Sequence, residues 1–152
     1  MQSDALRDVA ARFGGALTET SKVSTISVPP EKVVDACVAV SKLPGLYHLS
    51  TITGLDEGEK IVLHYQFWEG VRFVDVKTEV GKSSPKLGSL CAVLPSATLY
   101  EAEIQDILGV DFEGNPYRGK KLLLSDDYPA EAPPPLRKEA DPAEIRRLMK
   151  LE

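Results

Sequence analysis

A chain of 152 residues, 43% hydrophobic and 27% charged, is long enough to bury one core and has an ordinary globular balance. Its net charge of −5 excludes a generally basic nucleic-acid binder. The opening MQSDALRDVAARF lacks the apolar segment of a secretory leader, and no apolar run approaches the ~20 residues that span a bilayer, so a soluble cytoplasmic protein is expected.

Residues 3–13 read as a helix: Ser3 can cap it, Leu6, Val9, Ala10 and Phe13 recur at helical spacing, and Gly14-Gly15 ends it. SKVSTISV (21–28) alternates and is rich in β-branched residues, so it reads as a strand. Pro29-Pro30 opens a second helix, with Pro30 near its first position and Val33, Val34, Cys37 and Val40 as its buried stripe. Pro44-Gly45 stops it.

Strands are then expected over 46–54, 60–68 and 71–80, with Ile61, Leu63, Tyr65 and Phe67 on one face. The short turns at 56–59 and Glu69-Gly70 make them an antiparallel meander. Residues 81–88 read as a loop and SLCAVLP as a short helical turn. The order predicts an α+β fold: an antiparallel or mixed sheet with helices packed on one face.

A third helix starts in the stretch YEAEIQDILGVDFEGNPY, with Thr98 and Glu101 at capping-box spacing. Tyr100, Ile104, Ile107 and Leu108 share its buried face, and Gly109 suits a left-handed C-terminal cap. Val110 and Phe112 alternate inward before the turn Glu113-Gly114-Asn115-Pro116. After Tyr117 the composition shifts to proline, alanine and charge. This divides the chain into an α+β domain, 1–117, and an extended docking arm, 118–152. Asp141-Pro142-Ala143-Glu144 encodes a short terminal helix within that arm.

Few residues offer chemistry. Cys37 and Cys91 lie far apart among apolar neighbours and read as small buried hydrophobes; two thiols fall short of the roughly four that hold an iron–sulfur cluster. His48 and His64 flank the 56–59 turn almost symmetrically and could face each other, but zinc wants about three or four protein ligands. No phosphate-binding loop is present, and Arg118, Lys120 and Lys121 read as a solvated or ion-paired loop. Glu103 and Asp106 are helical neighbours that could share a proton. A small hydrolase would use them with His64 in a closed pocket, although no nucleophile adjoins them. A small binding or regulatory module is a third reading. The arm speaks for docking: Tyr117, Leu122, Leu123, Leu124, Tyr128 and Leu136 serve no isolated monomer when exposed.

Glu101, Glu103, Asp106, Gly109, Val110, Phe112, Gly114 and Pro116 spell E-x-E-x-x-D-x-x-G-V-x-F-x-G-x-P. With the lead-in PSATLYE and the downstream LLLSDDYP and PLRKE, this resembles the signature of the thirty-kilodalton subunit family of respiratory complex I, over residues 95–139. Ala102, Leu108, Asn115 and Tyr128 depart from residues the family often carries there, usually arginine, phenylalanine, histidine and tryptophan. The family also includes subunits of membrane-bound, ferredoxin-dependent [NiFe]-hydrogenases.

The resemblance implies a non-catalytic subunit that binds no cofactor or metal. Such a subunit packs in the hydrophilic arm against a hydrogenase-like large subunit, near the iron–sulfur small subunit. It would lie on the cytoplasmic side of the membrane, held there only by its partners, with no nucleic acid involved. The implied docking set is Glu101, Glu103, Asp106, Phe112, Asn115, Pro116, Arg118, Lys120, Lys121, Asp126, Asp127, Leu136, Arg137 and Lys138. The acids are expected to pair with Arg118, Lys120, Lys121, Arg137 or Lys138, or with basic residues of a neighbouring subunit. After roughly Tyr117 the arm of an isolated chain is expected to be mobile, or ordered only by crystal contacts, until a partner orders it.

Overall fold

The strand Lys60–Trp68 (β4) is the spine of the molecule. Its alternation drives Ile61, Leu63, Tyr65 and Phe67 into the core, each at most 1% exposed. The structure is a computed structural model and describes residues 2–46 and 48–151. β3 (His48–Asp56) and β5 (Phe73–Gly81) flank β4 antiparallel, forming the expected meander. Tyr47, included in the strand expected from residue 46, lies outside the described residues.

The expected strand at 21–28 is the second half of a hairpin. β1 (Ala16–Glu19) pairs antiparallel with β2 (Val23–Ser27), and Thr20 closes the turn by accepting the Val23 N–H at 3.0 Å. β1 is an edge strand with no buried residue, so it carries no alternation to find. β2 in turn runs parallel to β5, so the five strands take the order β1-β2-β5-β4-β3 in a mixed sheet.

Helix α1 (Gln2–Arg12) places Leu6, Val9 and Ala10 in the core. A 3-10 turn at Pro30–Lys32 leads into α2 (Val33–Ser41). The inner stripe of α2 is Val33, Ala36, Cys37 and Val40; Val34, expected there, is only half-buried. The expected loop at 81–88 contains a short strand, β6 (Lys86–Gly88), parallel to β7 (Asp111–Glu113).

Helix α3 (Ala97–Leu108) packs on β3. The contact requires Gly54, where any Cβ would overlap the Leu108 side chain and crowd Ile104. Gly109 caps α3 at φ 72° and ψ 29° and gives its N–H to the Gln105 carbonyl at 2.9 Å, as expected. The capping box does not form. Ser96 holds the N-cap without a side-chain bond, and the helical turn at 90–94 feeds directly into the helix. Glu101 is thereby released for another role.

Candidate functional site

Glu101 is fully buried and, among the described residues, has no cation beside it. Oε1 accepts the Leu90 N–H at 2.7 Å, while Oε2 accepts the Ser89 hydroxyl and the Asn115 amide, the latter at 2.8 Å. The amide of Asn115 also reaches the Thr98 carbonyl, and its Oδ1 accepts the Tyr117 N–H. One carboxylate therefore joins the turn before α3, the helix itself and the turn after β7. Burial pushes the Glu101 carboxyl above its usual range, against these three hydrogen bonds, which pull it down.

Asp106 does the corresponding work one turn on. Its Oδ2 accepts the backbone N–H groups of Leu122, Leu123 and Leu124 at 2.7, 2.6 and 3.1 Å. Beside it, the Gln105 amide clasps residues 117–120: its NH₂ donates to the Tyr117 and Lys120 carbonyls, and its oxygen accepts the Gly119 N–H. At the helix end, Leu136 donates its N–H to the Ile107 carbonyl at 2.9 Å, and Arg137 donates Nε to the Leu108 carbonyl at 2.8 Å. Pro134 seats against Gly109, where a Cβ would lie 2.8 Å from its Cγ. Farther along, Asp56 accepts the Lys138 N–H at 2.8 Å and pairs with Lys82, which also meets Glu139. The C-terminal half of α3 is thus a seat for the arm. The structure shows this segment bonded to its own domain.

These contacts replace the ion pairs expected within the chain for Glu101 and Asp106. Glu101 and Asp106 are satisfied by neutral donors, mostly main chain, while Arg118 pairs with Asp111 at 2.5 Å. Glu103, Pro116, Lys120, Asp126, Asp127 and Lys138 are exposed, and Leu136 is 60% exposed. Phe112 and Asn115 lie inside the domain and display no side chain for docking. Sequence reasoning passed over Ser89, Gln105 and Asp56. For Gln105 the sequence carried no local signal, because its partners at 117–120 come from the arm.

The hydrolase constellation does not form. Glu103 is exposed, Asp106 is buried beneath the arm, and His64 points from the sheet face opposite α3. A hollow of about 350 Å³ beside Asp106 is lined by Gln105, Asp111, Lys120, Lys121 and Leu124, with no histidine among its described lining residues. The histidines do not face each other either: the hairpin closes between Asp56 and Ile61, which sets His64 opposite Thr53 and His48 opposite Trp68. His64 Nδ1 instead lies 2.8 Å from Oδ2 of buried Asp75, which also accepts the Thr25 hydroxyl.

The Asp75 hydrogen bond holds the His64 imidazolium above its ordinary range, against partial desolvation and Lys77. A raised folded pKa gives stability that is full below the unfolded value of ~6.5 and fades as pH rises through the folded value. Urea midpoints measured from pH 6 upward should therefore show the wild type losing its advantage over His64→Gln. A difference that grows with pH would refute this pairing.

The sequence matches the model of the family described as respiratory-chain NADH dehydrogenase, 30 Kd subunit, over residues 26–145. An NADH-quinone oxidoreductase subunit from Moorella thermoacetica is 30% identical over 77% of this chain and 79% of its own length. An F(420)H(2) dehydrogenase subunit from Methanosarcina mazei is 25% identical over 84% of this chain and 85% of its own. Among solved structures, a chain of the membrane-bound sulfane sulfur reductase, an archaeal respiratory membrane complex, covers 99% of this chain and 92% of itself at 21% identity, with a TM-score of 0.80. A trypsin-resistant fragment of Nqo5 covers 76% of this chain and 98% of itself at 22% identity, with a TM-score of 0.64. These two likenesses show a shared fold. The family match takes in β3, β4, β5, α3 and most of the arm: the chain is a complex I thirty-kilodalton-type subunit and belongs to the respiratory-chain NADH dehydrogenase 30 Kd subunit family.

Proposed function

We propose that this chain is a non-catalytic structural subunit in the hydrophilic arm of an NADH:quinone-oxidoreductase-like complex. It docks on the hydrogenase-like large subunit, beside the iron–sulfur small subunit. It carries no cofactor and lies on the cytoplasmic side of the membrane, attached through its partners. The observation that carries this reading is the arm. Residues 118–139 are tied to the domain by hydrogen bonds and ion pairs, many of them to α3, yet they leave Leu122, Leu123 and Leu136 at 36%, 58% and 60% exposure. Large apolar side chains held outward on a bonded segment suit an interface. Among the described residues, no helix is long and apolar enough to cross a membrane, which agrees with attachment through partners.

Affinity capture of the tagged full chain from its native host, in mild detergent and low salt, tests the proposal. Mass spectrometry should find a hydrogenase-like large subunit and an iron–sulfur small subunit among the retained proteins. Recovery of the chain alone would refute the structural-subunit reading. The accompanying subunits separate the branches: an NADH-oxidising module marks the complex I type, and its replacement by [NiFe]-hydrogenase partners marks the ferredoxin-dependent type.

A further inference from the structure

The loop at residues 121–128 is closed from both ends by charge on main chain. At its start, Asp106 collects the N–H groups of Leu122, Leu123 and Leu124. Around its far side, the Lys121 ammonium donates to the carbonyls of Ser125, Asp126 and Tyr128 at 3.2, 2.9 and 3.2 Å. The Tyr128 hydroxyl then donates to the Pro133 carbonyl at 2.7 Å, and the Leu136 N–H returns the chain to Ile107. Anchors at adjacent helix positions, Asp106 and Ile107, bring Leu122 and Leu123 onto the same end of α3 as Leu136. Charge-assisted bonds to main chain are among the stronger ones, and they order a loop without a core.

We propose that this loop is a preformed docking element that presents Leu122 and Leu123, together with Leu136, to a protein surface with an apolar centre and a basic rim. This rests on the structural-subunit reading and names the chemistry of the partner's receiving surface. Charge argues for the basic rim. Between residues 121 and 136 stand Asp126, Asp127 and Glu131, all exposed, against Lys121 alone, whose ammonium is turned onto the loop's own carbonyls. Three acids beside the leucines repel anionic lipid and nucleic acid, leaving a protein partner as the favoured occupant. A preformed loop also avoids the ordering cost that a disordered arm would meet on binding.

The test uses the full chain, tagged and expressed in its native host. In Leu122→Asp/Leu123→Asp both changes sit at exposed positions, so circular dichroism should remain that of the wild type. Recovery of the oxidoreductase subunits should fall at least tenfold. Asp126→Asn/Asp127→Asn should reduce recovery at low salt and flatten its salt dependence, as expected for charges on an interface rim. Leu136→Ser, on a separate segment, keeps the test readable if the double leucine variant misfolds; it too should lower recovery. Undiminished recovery with folded leucine variants would overturn the docking loop while leaving the structural-subunit reading intact. A wild-type chain that retains no oxidoreductase subunit would overturn both. Sedimentation of the wild type with phosphatidylglycerol vesicles, abolished by the leucine variants, would assign the loop to lipid and refute the protein partner.

Discussion

Glu101→Ala should destabilise the chain by about 3–4 kcal/mol and lower its melting temperature by on the order of 10 °C. The cost comes from what the carboxylate leaves behind. The Leu90 N–H and the Asn115 amide lose a buried acceptor, and the Ser89 hydroxyl loses its partner. Glu101→Gln should cost about 1–3 kcal/mol despite its matching shape. Asn115 cannot turn its oxygen toward position 101, because that oxygen already accepts the Tyr117 N–H. The glutamine NH₂ must therefore face either the Asn115 NH₂ or the Leu90 N–H, and both are donors. The pH dependence has a definite sign. Burial raises the folded carboxyl pKa above its ordinary 4.5, so its contribution is full below that value and is lost as pH rises through the folded pKa. The advantage of the wild type over Glu101→Gln should therefore shrink from acid toward neutral pH in guanidinium unfolding. An equal or greater stability of Glu101→Ala would remove the carboxylate from its place as the strut of this corner.

The long strands, α1 and the cap at Gly109 were legible because alternation, helical spacing and a left-handed glycine are local signals. β1 and β6 were not. Each is short, and their pairing with β2 and β7 depends on segments brought in from elsewhere. The same limit governed the site. Glu101 and Asp106 were recognisable as special positions, but the lysines and arginines at 118, 120, 121, 137 and 138 suggested ion pairs. The actual partners are backbone N–H groups and neutral side chains, and a residue letter does not advertise its backbone. Thr98 and Glu101 have the spacing of a capping box, yet burial decided the outcome: Glu101 faces Ser89 and Asn115 inside the domain. The arm's apolar residues were visible in the sequence. Its seat on α3 was not, since Gln105 reads as an ordinary solvent-facing residue until Tyr117, Gly119 and Lys120 fold over it.

Asp106→Ala should loosen the arm without unfolding the domain. Its Oδ2 is the acceptor for the Leu122, Leu123 and Leu124 N–H groups, so these amides should exchange with solvent about 100-fold faster, equivalent to roughly 3 kcal/mol of lost local protection. The principal hydrophobic cluster ends at Phe112 and contains no residue of the arm. The arm can therefore lift away while the sheet and helices stay packed. Denaturant should detach the arm before the domain unfolds, so the main guanidinium transition, read from the domain, should shift by the equivalent of less than about 1 kcal/mol. Asp106→Asn keeps an oxygen acceptor without its charge, and a neutral acceptor is roughly half as strong, so its exchange rates should fall between wild type and alanine. Amides of β4 and β5 should be unchanged in both variants. This pattern separates Asp106 from Glu101, whose loss should speed exchange throughout the core. If Asp106→Ala instead lowered global stability as far as Glu101→Ala, the arm would be an integral part of the fold and residue 117 would mark no energetic boundary.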